Sequence, residues 1–210
     1  MQRDMGNGTS GWMKPELLPS VMELNAQCVD LLIHQARSAR EAALPLPCEL
    51  RPLLLNLDLN ARRRVAACPF LLMDAGFADS RRWLWAHGYE VCEAQPVTEA
   101  PVLSASRSTA LARHIFAYAW HLSRSDRKAA RMILGMSPAT ADVLSTYTLM
   151  QTVGLAEVHP QWLQPRWPRH LRMWRDLLDA AMSGEEFVLE QARLRGVQLL
   201  AAEARSSAMP

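Results

Sequence analysis

The sequence predicts an all-α protein, a multi-helix bundle with a helix-turn-helix-like αα-hairpin. Apolar residues make up 50% of the 210 positions and recur along most of the chain at spacings of three, four and seven, as on amphipathic helices. Ser, Thr, Asp or Asn precedes many of these segments, and Gly or Pro follows several of them, as expected at helix ends. No strand pattern competes with this interpretation, although 90–97 could be extended.

The first half of the chain is predicted to form an N-terminal helical region over 15–95, preceded by a disordered tail at 1–14. Its opening apolar periodicity predicts one amphipathic helix over 15–40. That helix should stop before the two prolines that follow it, because proline disfavours helical geometry in the preceding residue.

Shorter helices are predicted to follow in the compact zone before Gly88. Asn60 is the predicted N-cap of the first of them, and Asp79 or Ser80 is the predicted N-cap of another that ends at this glycine. Prolines among polar residues over 89–107 then predict a linker, because no helical period continues through them.

A second helical domain is predicted over 105–182, followed by a C-terminal helix and tail over 183–210. Its helices should be joined by very short turns until three prolines break the chain before a Trp- and Arg-rich helix over 169–182. The predicted N-caps in this domain are Ser106 or Ser108, Asp126, Ser137, and Thr146 or Thr148.

The segment 126–145 has the outline of a helix-turn-helix. Gly135 suits a left-handed turn, and Ser137 with the following proline suits the start of a second helix, whose first side chains could reach base edges in a major groove. Thr140 is the candidate base reader on that helix, whereas Asp142 opposes phosphate. An αα-hairpin inside a helical core is the alternative interpretation.

The net charge of +2 conceals an asymmetry along the chain. Residues 101–182 hold ten Lys or Arg against five Asp or Glu, whereas the segments before and after are slightly acidic. A positive surplus confined to one segment is typical of a surface that faces an anion, most commonly nucleic acid. Nearly all the basic residues are Arg, which suits phosphate and guanine, although a genome rich in G and C gives the same bias.

Two basic clusters account for most of this surplus and, with Thr140, are the candidate DNA-binding residues. The first cluster lies near the start of the helix-turn-helix-like segment. The second recurs every three residues among tryptophans, so its guanidiniums should form a broad strip on a helix, with a solvated helix face as the alternative. The two clusters are Arg124, Arg127, Lys128 and Arg131, and Arg166, Arg169, Arg172 and Arg175.

The helices between about 111 and 167 contain the most informative pattern in the chain. Its most specific pieces are Leu134-Gly135 and the run Thr148-Leu149-x-Gln151-x-x-x-Leu155-Ala156. The pattern also includes Ala119, Leu122, Asp126, Arg127, Met136, Ala141, Leu144 and Glu157. With these residues the segment, about a quarter of the chain, resembles the D subunit of the flagellar master transcriptional activator, the FlhD-like family.

This resemblance implies a small all-helical homodimer that associates with a second regulatory subunit and acts with it on promoter DNA in transcription. The second subunit would supply the zinc site and much of the DNA contact. The chain departs from the family by about a hundred extra N-terminal residues and by its sequence after Trp167. These departures leave open both the second subunit and flagellar genes as targets.

Composition and motifs argue against several other classes of protein. The longest apolar runs are far shorter than the roughly 18–20 residues that cross a bilayer, and no secretory signal is visible, so we expect a cytoplasmic protein without a membrane partner. Widely spaced cysteines predict reduced thiols rather than a zinc site. Because a nucleophile elbow, a P-loop and a dinucleotide fingerprint are absent from the sequence, we expect neither an enzyme nor a cofactor.

Three functions follow as hypotheses. The leading one is a transcriptional regulator that acts on promoter DNA through the basic clusters, together with a partner subunit. The first alternative is a helical dimeric protein-interaction adaptor that does not contact DNA. The second alternative is a ligand-sensing domain, which the aromatic and apolar residues of 65–89 suggest.

Overall fold

The computed structural model describes residues 17–38, 45–88 and 105–206, and these residues form the predicted all-α, multi-helix fold. The predicted disordered tail at 1–14 and the stretch at 90–97 that could be extended lie outside the described residues, as does most of the predicted linker. In the described ranges, no helix combines the length and the apolar character needed to span a membrane.

The described ranges contain ten α-helices. Those before the undescribed stretch at 89–104 are α1 (Leu17–Ser38), α2 (Arg51–Asn56), α3 (Leu59–Ala66) and α4 (Ser80–Gly88). Those after it are α5 (Ala105–Ser125), α6 (Arg127–Leu134), α7 (Pro138–Thr146), α8 (Leu149–Val158), α9 (Leu171–Ser183) and α10 (Glu186–Ser206). Single 3-10 turns form at Cys48–Leu50 and Pro160–Trp162.

Most helix ends in the second half follow the side-chain chemistry of the sequence. The side chains of Asp126, Ser137 and Thr148 each accept a hydrogen bond from the backbone N–H three positions later, which confirms these three N-caps. Gly135 ends α6 in the left-handed conformation at φ 65°, also as predicted.

Two predicted caps are wrong. The cap of α3 is Asp58 rather than Asn60, because the backbone is still extended at Asp58, whose carboxylate accepts a 2.6 Å hydrogen bond from the Ala61 N–H. Ser106 and Ser108 lie inside α5 and therefore cannot cap it. Short polar residues near a helix start are interchangeable in sequence, and only the backbone geometry selects among them.

A small antiparallel sheet joins the two halves of the chain. In it, β1 (Met73–Asp74) pairs with β2 (Gln164–Pro165), with Met73 opposite Pro165. Beside this pair, the backbone N–H of Arg166 donates to the Leu72 carbonyl at 2.8 Å. Strands of two residues are too short to produce an alternating pattern, so the sequence did not predict them.

Buried residues from both sides of the undescribed stretch belong to one hydrophobic core. At its centre, the ring centroid of Trp83 lies 5.6 Å from that of Phe77, 5.2 Å from Phe116 and 5.4 Å from Trp162. The aromatic richness of 65–89, which suggested a ligand sensor, therefore supplies packing between helices.

A buried asparagine fastens α1 to the loop that follows α3. The Asn25 side chain is fully buried, and its amide nitrogen donates to three backbone carbonyls at 2.9–3.2 Å, those of Ala66, Cys68 and Phe70. Its amide oxygen accepts from the Leu72 N–H at 2.9 Å. Asn25 thus satisfies backbone hydrogen-bonding groups of a loop that does not form regular secondary structure.

Helix α10 packs against both α6 and α9. One of its flanks, with Val197, Leu200 and Ala204, adjoins α6, and the flank with Arg195 and Gln198 adjoins α9. At 100° per residue these two flanks lie on opposite sides of the helix. The middle of α10 lies close to the core at Gly196. A Cβ atom at this position would lie 2.2 Å from the ring of Phe70, so only glycine allows this approach.

Candidate partner-binding surfaces

The helix-turn-helix-like segment forms the αα-hairpin of α6 and α7. Its turn depends on Gly135, since a Cβ atom there would lie 2.8 Å from Leu200 Cδ1 and 3.0 Å from Arg166 Nη1. The positive φ of this residue also disfavours any other side chain. The first constraint arises from packing against α10 and the Arg166 loop, so the turn is part of the core.

The outward face of α7 is unsuited to reading DNA bases. Thr140, the predicted base reader, is fully buried, and Ser137 Oγ donates to its hydroxyl oxygen at 2.9 Å. That prediction is therefore wrong, because the Thr140 hydroxyl bonds to the N-cap residue of α7 inside the core and does not face a DNA groove. The exposed residues of α7 include Asp142, whose carboxylate lies 2.5 Å from Arg127 Nη1 and offsets the charge of that predicted DNA contact.

Arg166 is also wrong as a surface contact, since its side chain is only 4% exposed. The guanidinium donates to the backbone carbonyls of Leu71 at 3.0 Å and Leu134 at 2.8 Å, and it lies 3.6 Å from carboxylate oxygens of both Asp74 and Glu203. It thereby connects the β1 loop, the end of α6 and α10. A charge with this many internal partners has a structural role.

The other predicted basic residues are exposed. In the first cluster, Arg124 lies over the Trp120 ring, 5.0 Å from its centroid, and donates to the Ser145 carbonyl at 3.3 Å. In the second, Arg172 has one long contact with Asp176, at 3.9 Å. Lys128, Arg131, Arg169 and Arg175 also reach solvent.

The structure does not join the two basic clusters into one strip. Arg131 adjoins the α6 flank of α10, and Arg172 adjoins the opposite flank beside Arg195. A single ligand would have to pass over α10 to contact both. The spacing of arginines in the sequence could not show this separation, because α10 comes later in the chain and packs between them.

Helix α8 presents an apolar face that the described residues do not cover. Only Thr152 and Ala156 of this helix are buried, whereas Met150 is 79% exposed and Val158 is 59% exposed. Between them on the same face, a Cβ atom at Gly154 would have no neighbour within 4 Å. Apolar helix faces are normally buried, so the exposed face of α8 is a candidate contact surface.

The residues that resemble the flagellar activator subunit have local structural roles here. Thr148 and Gln151 form a reciprocal capping box at the start of α8, and Gly135 ends α6. Comparison of the chain with protein-family models, with curated proteins and with solved structures finds no match. The implied relationship and its partner subunit therefore remain predictions.

The titratable side chains of the described ranges do not form a metal site. No group of three or more His, Cys, Asp or Glu residues there is arranged to hold a metal ion. Cys28 and Cys68 are buried free thiols, and burial raises the pKa of Cys68 to about 12, so both are poor nucleophiles near neutral pH. The α8 face and the two flanks of α10 are candidate contact surfaces in the described part of the chain.

Proposed function

We propose that this protein is a dimeric helical adaptor that links other proteins, and that its two copies meet along α8. The observation that carries the proposal is the outward stripe of Met150, Gly154 and Val158, which is apolar at both ends and open in the middle. A glycine at the centre allows two helices to approach closely, and the stripe adds the apolar area that association requires.

The sequence of α8 is self-complementary about Gly154. Positions at equal distances on either side that are not buried in the core carry similar residue types: Met150 and Val158, Gln151 and Glu157, Val153 and Leu155. In a two-fold antiparallel crossing at Gly154, Met150 lies against Val158 of the partner subunit. A two-fold interface brings the same patch of each copy together, so this palindrome favours a second copy as the occupant.

Charge also favours self-association at this face. Its flank carries Arg113 and Glu157, whose nitrogen and oxygen lie 2.8 Å apart, so the flank is neutral. Two copies can therefore meet without opposing like charges, whereas a nucleic-acid surface would need a positive surplus. We propose the cytoplasm as the compartment of the adaptor, because free thiols such as Cys28, Cys48 and Cys68 persist in a reducing environment.

Dimerisation through α8 predicts that Met150→Glu converts a dimer into a monomer. The dimer would then bury two new charges, because the glutamate of each copy lies against Val158 of the partner subunit. We therefore expect association to be at least about 100-fold weaker. Size-exclusion chromatography with light scattering measures this. Val158→Lys added to Met150→Glu should restore the dimer, because the lysine of one copy then faces the glutamate of the other.

Leu59→Glu is the matched control, since Leu59 is 70% exposed on α3, away from α8. It should leave the oligomeric state unchanged. A monomeric wild-type protein at high concentration, or a Met150→Glu variant that stays dimeric, would contradict the α8 interface.

The second candidate function is transcriptional regulation on promoter DNA with a partner subunit. It is favoured by one observation, the exposure of Lys128, Arg131, Arg169, Arg172 and Arg175 within the segment of positive charge. The buried Thr140 and the Arg127–Asp142 pair weigh against base reading, so any such binding would be mainly to phosphate.

Phosphate binding by the second cluster predicts a measurable salt dependence. Changing Arg169, Arg172 and Arg175 together to Ala should reduce the slope of log affinity against log salt by about 2.7, since each lost phosphate contact removes about 0.9. Fluorescence anisotropy with duplex DNA at low salt measures this slope. If the wild-type protein and the triple variant bind DNA equally weakly, the DNA-binding function is contradicted and the adaptor function stands.

A further inference from the structure

We infer that the cleft between α6 and α10 binds an acidic segment of a partner protein that inserts one large apolar side chain. The inference rests on the proposed adaptor function, because it names the chemistry of the partner. The cleft has a volume of about 250 Å³ and an apolar floor formed by Pro69, Met132, Val197, Leu200, Ala201 and Ala204.

The charge at the rim of the cleft points to an acidic occupant. Arg131 of α6 and Arg205 of α10 line the same cleft, and no acidic residue lines it. Among the described residues, neither guanidinium forms an ion pair or a hydrogen bond, and both side chains are exposed. The nearby carboxylate of Glu203 is turned away, since it accepts from Trp167 Nε1 at 2.6 Å and lies beside Arg166.

The size of the cleft favours a protein segment over a small ligand. Pockets for drug-sized molecules measure about 300–1,000 Å³, and this cleft is smaller. One aromatic or branched side chain can enter it, which is how partner proteins commonly anchor themselves. An apolar floor between two Arg side chains thus matches a large apolar residue flanked by Asp or Glu.

The opposite flank of α10 provides an internal comparison. It also carries two arginines, Arg172 and Arg195, but both contact the carboxylate of Asp176. The cavity there has a volume of about 440 Å³ and is lined by these charged residues. The arginines of the α9 flank therefore already have a carboxylate partner, whereas the α6 flank combines unpaired positive charge with an apolar floor.

The test is selection of a phage-displayed random peptide library on the full-length wild-type protein. Counter-selection uses Ala201→Trp, which fills the cleft and leaves its charge intact. Peptides with Leu, Phe or Trp between acidic residues should be enriched. A synthetic copy of the most enriched peptide should bind at least tenfold more weakly to Ala201→Trp and to the double variant Arg131→Glu, Arg205→Glu.

The matched control is the double variant Arg172→Glu, Arg195→Glu, which makes the same change in net charge on the other flank of α10. It should bind the peptide as the wild-type protein does. Enrichment of peptides without acidic residues, or equal loss in both double variants, would overturn the inference. Decanoate serves as a probe for small amphiphiles. If the wild-type protein binds decanoate, only the cleft variants lose that binding, and no peptide distinguishes the cleft variants from the control, the cleft is a site for a small amphiphile and the inference is overturned.

The monomer test separates this inference from the α8 dimer. If Met150→Glu is monomeric and still binds the peptide, both proposals stand. If the wild-type protein is itself monomeric but binds the peptide through the cleft, the dimer fails and the cleft stands.

Discussion

Replacing Arg166 by Met is expected to lower the free energy of unfolding by about 2 kcal/mol or more, because two buried carbonyls lose their donor at about 1–3 kcal/mol each. The methionine would fill similar volume but would leave the Leu71 and Leu134 carbonyls without their donor and the Asp74 and Glu203 carboxylates without their counter-charge. Urea unfolding followed by circular dichroism measures the loss.

The pH dependence of this loss tests the ionic part of the network. Burial raises the pKa of the Glu203 carboxyl, and the Arg166 guanidinium acts against that rise. Without the guanidinium this pKa should rise further, so the Arg166→Met variant should recover part of its stability as pH falls and the carboxyl becomes neutral. Arg169→Met, at an exposed neighbour, should change stability little at any pH. A loss below about 1 kcal/mol for Arg166→Met would contradict the structural role.

Asn25→Asp is expected to have an effect of similar size. A carboxylate at this fully buried position can still accept from the Leu72 N–H, but it cannot donate to the carbonyls of Ala66, Cys68 and Phe70. Each unsatisfied buried group costs about 1–3 kcal/mol, so we expect a loss of about 3 kcal/mol or more at neutral pH. Chemical unfolding against pH measures it.

Acidic pH should reduce the Asn25→Asp penalty, because a protonated carboxyl regains one donor and loses its charge. Asn60→Asp makes the same chemical change at an exposed position of α3, so it should leave stability nearly unchanged. If the two variants were equally stable, the loop after α3 would not depend on Asn25.

Local chemistry explains why much of the second half was predictable. Asp126, Ser137 and Thr148 cap helices through atoms only three residues away, and Gly135 adopts a conformation that other residues disfavour. Such signals depend on neighbours in sequence. The choice between Asp58 and Asn60 failed because both residues suit an N-cap, and the bend of the preceding chain selects one.

The candidate surface was less predictable, because exposure depends on distant parts of the chain. Arg166 looked like one member of a regular strip, yet it bonds to carbonyls 32 and 95 residues away. Thr140 looked like a base reader, yet the core covers it. Conversely, Met150 and Val158 are apolar residues of a largely apolar helix, and yet they are exposed.

The sequence by itself determined the all-α class, the αα-hairpin and the positions of its caps, since apolar periodicity and capping are properties of short segments. Only the tertiary structure decided which polar residues are free to meet a partner. The helix α10 packs between the two basic clusters, Arg166 becomes a buried connector, and no described residue covers the outward face of α8 or the Arg131–Arg205 cleft. Burial is set by contacts between segments far apart in the chain, and these contacts cannot be predicted from the residue pattern of a single segment.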